Sequence, residues 1–268
     1  MRTVLLGAIA AGLVLATLGS SGALAQSASA EQKAQIAPSG QLRAALVKIP
    51  FLAKQDAASG TLKGVAPDLA EEMARRLGLP LQAIAFDQPN AGINALRSGA
   101  ADITFLAPTP ERVGLIDFAP AFMEMEMTLI VTATSPNNSH ADADQPGRKI
   151  VADERTAVEE MLKKKMTRAT IVRVPIFGYR QAFELLRSGQ ADAFADLRDA
   201  LLSYQPELAD SRIIPGNFGS NALAIGYAKE RPLTAAFVKQ FTEAAIASGF
   251  VARAIAKAGV RGAAAPGT

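Results

Sequence analysis

The chain has 268 residues, no cysteine and a single histidine, His140. The absence of cysteine removes thiolate nucleophiles, thiolate metal centres and disulfides together, and one histidine is a poor basis for a Ser-His-Asp triad or a histidine-held metal. With 28 basic against 25 acidic residues, the charge is too evenly balanced to point to a nucleic acid or a membrane surface as partner. The one basic cluster, Lys163-Lys164-Lys165, follows Glu159 and Glu160 by a turn and reads as a solvated helix face.

Met1-Arg2-Thr3 is a short basic start, residues 4–18 are apolar or small, and Ala23-Leu24-Ala25 precedes Gln26. This pattern predicts a secretory signal peptide over residues 1–25, cleaved after Ala25, and so a periplasmic protein. The apolar run, about 15 residues, is shorter than the roughly 20 needed to span a bilayer. No cysteine stands near the cleavage point to carry a lipid. Residues 26–39 are small and polar and are expected to form a flexible lead-in.

Strand and helix signals then alternate. Residues 42–47 read as a strand and 69–77 as a helix, with Asp68 as cap, Glu71 completing a capping box, and Gly78 and Pro80 as the stop. Strands are expected at 81–86 and 101–106, with a helix at 93–97 between them. Residues 128–132 form a further strand before the turn-rich Ser135-Pro136-Asn137-Asn138-Ser139. The block then repeats: a strand at 149–152, a helix at 156–166 opened by Thr156-x-x-Glu159, strands at 171–174 and 191–195 flanking a helix at 180–187. A late strand at 223–227 and helices at 233–246 and 251–258 end the chain. Such alternation predicts an α/β fold with a largely parallel sheet, in which ligands bind in a crevice at the carboxyl ends of the strands. Neither a GxGxxG sequence nor a P-loop is present, so no cofactor is expected.

Four stretches carry a resemblance. Gly60-Thr61-Leu62-Lys63-Gly64-Val65-Ala66-Pro67-Asp68-Leu69-Ala70 is similar to "G-x-L-x-G-F-D-x-D-L-A". Residues 93–102 are similar to "I-x-A-L-x-S-G-x-x-D". Thr109-Pro110-Glu111-Arg112 with residues 117–122 is similar to "T-P-E-R … D-F-S-x-P-Y". Residues 185–193 are similar to "L-x-x-G-x-x-D-A". In this order they resemble the extracellular solute-binding proteins, family 3, that serve polar amino acid ABC transporters, with the type II periplasmic binding protein fold. The resemblance implies lobe 1 from residues 40–128 and 222–260, lobe 2 from residues 129–221 inserted into it, two hinge strands, and a C-terminal tail at 261–268. It also implies a monomer that passes a small carboxylate-bearing solute, such as an amino acid or opine, to the membrane permease of an ABC importer. A periplasmic cyclohexadienyl dehydratase is the enzymatic alternative on the same fold, with Glu126 or Glu154 as candidate acid.

The resemblance also places the site. Arg112 matches the arginine that grips the ligand carboxylate, a role suited to its planar fork of donors. Thr156 opens the lobe 2 helix whose N-terminus favours an anion, but Arg155 stands where the family has glycine. Asp196 is the candidate partner for a ligand ammonium, though it follows Asp192 by four residues where the family has five; Asp199 and Asp192 are alternatives. Ala107 replaces a hydroxyl usual before the arginine motif. Phe51 and Phe105 are candidate apolar walls. Glu124 and Glu126 share one face of a strand and are candidates to read a cation.

Overall fold

The computed structural model describes residues 28–267; the expected signal peptide at 1–25 lies outside them. The first block comprises α1 (Ala30–Ile36), β1 (Leu42–Val47), the short hairpin β2 (Lys54–Gln55) and β3 (Leu62–Lys63), α2 (Val65–Leu77), β4 (Leu81–Phe86), α3 (Pro89–Arg97), β5 (Ile103–Leu106) and α4 (Pro110–Val113). The long β6 (Asp117–Thr132) and a short α5 (His140–Ala143) lead into the second block. That block holds β7 (Lys149–Asp153), α6 (Ala157–Lys165), β8 (Thr170–Val174), α7 (Tyr179–Arg187), β9 (Ala193–Leu197) and α8 (Arg198–Tyr204). The chain returns through β10 (Ser211–Ile213) and β11 (Gly219–Tyr227) to α9 (Pro232–Ala247), α10 (Phe250–Ala258) and β12 (Ala263–Ala264).

Strand order along the sheet is β4-β1-β5-β11-β6-β9-β7-β8. Each block contributes three parallel strands, β4-β1-β5 and β9-β7-β8, and the antiparallel pair β11 and β6 joins them. Strand β6 serves both sides: Asp117 to Met127 pair with β11, Met127 to Ile130 with β9, and Ile130 to Thr132 with β10. Its buried run Met127 to Val131 lies at that junction. A main apolar core, including Leu69, Phe122 and Leu162, extends under both blocks, and a second one gathers Val151, Phe183, Phe194 and Leu201.

The two blocks close their helix–strand turns with the same device. Ser98-Gly99 and Ser188-Gly189 end α3 and α7, with Gly99 and Gly189 in the left-handed region at φ 73° and 69°, where a side chain would be strained. Three residues beyond each glycine comes an aspartate that locks the turn to the neighbouring strand. Asp102 accepts from Arg43 N (2.8 Å), Nε (3.1 Å) and Nη2 (2.6 Å). Asp192 accepts from Lys149 N (2.8 Å) and Arg148 Nη1 (2.7 Å).

Three local expectations are corrected. Helix α2 begins at Val65 rather than at 69, and its cap is Gly64 at φ 137°. A Cβ on Gly64 would lie 2.5 Å from the Leu52 carbonyl oxygen, so close backbone packing sets this start. Asp68 therefore sits in the first turn and binds Lys257 Nζ at 2.9 Å instead of capping. The lead-in takes on regular structure early: Ser29 and Gln32 form a capping box for α1. The Gln35 side chain then accepts from Leu233 N (2.7 Å) and Thr234 N (3.0 Å), capping α9 from outside. The expected tail is tied to the sheet, since Ala263 and Ala264 pair with Met125 and Glu124 of β6. Helices α9 and α10 pack on α1, β6 and α2. No helix among the described residues is long and apolar enough to cross a membrane.

Candidate functional site

Strand β5 ends at Leu106, and Ala107-Pro108-Thr109 carries the chain into the single turn of α4, which holds Arg112. Pro110 at the start of that turn has its ring pre-set for helix and fixes the direction of the turn. Arg112 Nη1 donates to the Ala107 carbonyl at 3.0 Å, and among the described residues no carboxylate pairs with its guanidinium. Burial lowers its pKa, against the neighbouring charge of Glu111. A guanidinium has five donors; one neutral carbonyl leaves this part-buried cation without a hydrogen-bonded counter-charge among the described residues.

Across the junction, Thr156 caps α6: its hydroxyl accepts from Glu159 N (3.1 Å) and donates to the Asp153 carbonyl (2.8 Å). Glu159 folds back to accept from Arg155 N at 2.7 Å, one residue before the cap, so the expected box is displaced by one position. Burial would raise the Glu159 pKa, but Lys163, Arg173 and that amide hold it at about 2. Arg155 has φ 58°, a conformation suited to the glycine that the resemblance predicts there. Its side chain pairs with Glu154 and is 85 % exposed. The backbone thus keeps the glycine-like turn while the side chain turns to solvent. A cavity of about 260 Å³ lies between the blocks, lined by Ala107 and Thr109 on one side, Ala157, Met161 and Lys164 of α6 on another, and Ser220 of β11.

The acidic end lies where β7 and β9 stop. Ala152 is level with Ala195, and the next residues are Asp153 and Asp196. Among the described residues Asp196 accepts only from Leu197 N, at 2.7 Å; burial, with the charge of Asp153 adding to it, pushes its pKa up to about 7. Asp153 Oδ2 accepts from Phe177 N at 2.6 Å, while Oδ1 is buried with no partner among the described residues. Its pKa is raised by burial, against the amides of Phe177 and Gly178. Tyr204 stacks on Tyr179 at 4.0 Å, and burial together with the Asp196 and Asp153 charges pushes its phenol up to about 12. A pair of carboxylates without a cation near an aromatic stack, with an arginine lacking an anion in the other block, suits a ligand that carries both signs of charge.

The sequence of residues 48–259 matches the bacterial extracellular solute-binding proteins, family 3. The chain belongs to this family. No curated protein matches it. Among solved structures it is similar to an ancestral cationic amino acid solute binding protein, at 23 % identity and TM-score 0.63 over 85 % of this chain and 99 % of that one. It is similar to an amino acid ABC transporter substrate-binding protein from Streptococcus pneumoniae bound to L-arginine, at 23 % identity and TM-score 0.61 over 83 % and 96 %. It is also similar to the solute receptor for L-cysteine of Neisseria gonorrhoeae, at 21 % and 0.62 over 85 % and 94 %. These likenesses establish the fold, that of the type II periplasmic binding proteins.

In this family 3 chain the remaining candidates separate clearly. Phe105 is corrected to a core residue, 2 % exposed and edge-on to Phe122 at 5.9 Å, because β5 is flanked by strands on both sides and buried on both faces. Phe51 is part-buried against the main core. Glu126 is taken by Arg198, and Glu124 accepts from Ser220 Oγ. Asp192 belongs to its turn, and Asp199 holds Arg261 N at 3.0 Å. His140 bonds Thr128 Oγ1 at 3.2 Å and meets Phe218 edge-on. Sequence reasoning missed Asp153 and Tyr204, although Ile150-Val151-Ala152-Asp153 and Ala193-Phe194-Ala195-Asp196 repeat one pattern of three apolar residues and an acid.

The raised Asp196 pKa gives a pH test. An acid whose folded pKa lies above its unfolded value destabilises the fold as pH rises from the unfolded value through the folded one. Without ligand, Asp196→Asn should therefore match the wild type in thermal melts near pH 4 and exceed it increasingly up to pH 8, through the window that ends at about 7. A difference that does not grow with pH would place the ionised carboxyl in water.

Proposed function

We propose that this chain is the periplasmic substrate-binding component of an ABC importer, and that it captures a small amino-acid-like solute between two lobes. On this reading residues 40–128 with 222–260 form lobe 1, residues 129–221 form lobe 2, and β6 and β11 act as the hinge. The observation that carries it is the unpaired Arg112 guanidinium in the turn beside an interblock cavity, a donor fork shaped for a carboxylate. Thr156 at the start of α6 adds the positive end of a helix. Asp196 supplies the counter-charge for an ammonium group, and Ala107 orients Arg112 through its carbonyl. The chain works as a monomer without cofactor and docks on a membrane permease.

Binding without turnover is the activity assigned. The two carboxylates offered for a dehydration are committed elsewhere, Glu126 to Arg198 and Glu154 to Arg155. A thermal-shift screen of residues 26–268 against amino acids, opines and organic acids tests the reading. A ligand present at about 100 times its Kd should add about 2.7 kcal/mol of stability. Stabilisation by none of these classes, or turnover of prephenate or arogenate, would overturn it.

A further inference from the structure

The cation side of the site holds more negative charge than one ammonium partner requires. Asp153 and Asp196 stand one residue past the last level pair of two adjacent parallel strands, whose backbones run about 4.8 Å apart across the sheet. Two carboxylates so placed repel each other, and a cation or a proton beside them relieves that repulsion. Among the described residues, no basic side chain makes a salt bridge with either carboxylate. From α6 and its lead, Arg155 is held by Glu154 and Lys163 by Glu159, while Lys164 lines the interblock cavity. Arg173 of β8 is also held by Glu159, and Arg180 of α7 by Glu207. Arg198 of α8 is held by Glu126, and Arg261 by Asp199. Tyr204 and Tyr179 add no positive charge, and His140 has its pKa lowered by burial and by Arg198.

Asp153 is also positioned for a second task beyond anchoring its loop. One oxygen receives the Phe177 amide, which fixes the carboxyl. The other, Oδ1, is shielded from solvent and accepts from no donor among the described residues. An unpaired buried acceptor is costly to keep, and a donor arriving with the ligand removes that cost. We propose that Asp153 is a second ligand-contacting carboxylate, which with Asp196 selects solutes bearing an N–H-rich cation, ammonium or guanidinium, over their uncharged analogues. This rests on the solute-binding reading and narrows it to cationic solutes. Because burial raises the Asp196 pKa to about 7, arrival of a cation beside it should also expel a proton.

The test uses small probes that lack a carboxylate and so do not need Arg112: methylammonium and methylguanidinium, with methylurea as the neutral control. Carboxyl carbon resonances of Asp153 and Asp196 are followed by NMR in the wild type, and that of Asp196 in Asp153→Asn. The side-chain carbonyl introduced by Asp153→Asn still accepts from the Phe177 amide, so the loop anchor survives. Both carboxyl signals should move with the cations and not with methylurea. Asp153→Asn should weaken cation binding by about tenfold or more and let Asp196 titrate at lower pH. A preference for one cation identifies which head group the pair fits and supports the proposal. Cation binding unchanged in Asp153→Asn, or Asp196 titrating as in the wild type, would show that Asp153 only anchors its loop. Loss of amino acid binding in the screen with probe binding intact would instead count against the wider solute reading.

Discussion

Replacing Arg112 by alanine is expected to weaken capture of the carboxylate ligand by about 30- to 5000-fold, the equivalent of about 2–5 kcal/mol for stranding one member of a desolvated charge pair. Arg112→Lys should also bind poorly, because it keeps the charge but loses the planar fork. Stability without ligand should hardly change in either variant. Arg112 has no carboxylate partner to strand in the ligand-free protein, and its hydrogen bond goes to the Ala107 carbonyl, a loss of about 1 kcal/mol at most. Calorimetric titration with the ligand found by screening, beside denaturant unfolding of the ligand-free proteins, separates the two effects. Wild-type affinity in Arg112→Ala would remove the carboxylate clamp from the proposed mechanism.

Asp102→Ala is expected to have the largest effect on stability itself, about 3–5 kcal/mol. Its side chain is 4 % exposed and faces Arg43 at 16 %, and it also receives the Arg43 amide. Removal therefore leaves a part-buried guanidinium and a backbone donor without their acceptor. The repeat supplies its own control. Asp192 makes the matching contacts in the second block but is 26 % exposed, opposite an Arg148 at 35 %. Water can replace it, and Asp192→Ala should lose about 1–2 kcal/mol. Urea unfolding midpoints of the two variants check this order. Equal losses would mean that burial does not set the strength of these locks.

Much of the fold was legible because its signals are local. The alternation of apolar strand segments with capped helices, repeated after residue 148, defines two α/β blocks without reference to distant contacts. The strands at residues 42–47 and 81–86 have the bounds that the sequence predicts, since apolar runs between turn residues leave little choice of end. Starts governed by long-range contacts were not legible. The position of Gly64 against the Leu52 carbonyl moves the start of α2, and no pattern within residues 60–70 announces it.

The sequence by itself determined the chemistry available: no thiol, one histidine, one arginine in a T-x-x-R turn, and a family resemblance running from about residue 40 to residue 259. Only the tertiary structure decided which charges remain uncommitted. Glu126, Asp192 and Asp199 are as acidic in sequence as Asp153 and Asp196, yet Arg198, Arg148 and Arg261 neutralise them, while the ends of β7 and β9 bring the other two together without a cation. Likewise Phe105 and Phe51 are the same residue type, and only the place of β5 between two strands sends Phe105 into the core. The physical reason is common to both. Charge pairing and burial depend on neighbours far away in the chain, such as Asp192 44 residues from Arg148 and Arg198 72 residues from Glu126, and those neighbours are fixed by sheet order rather than by any local pattern.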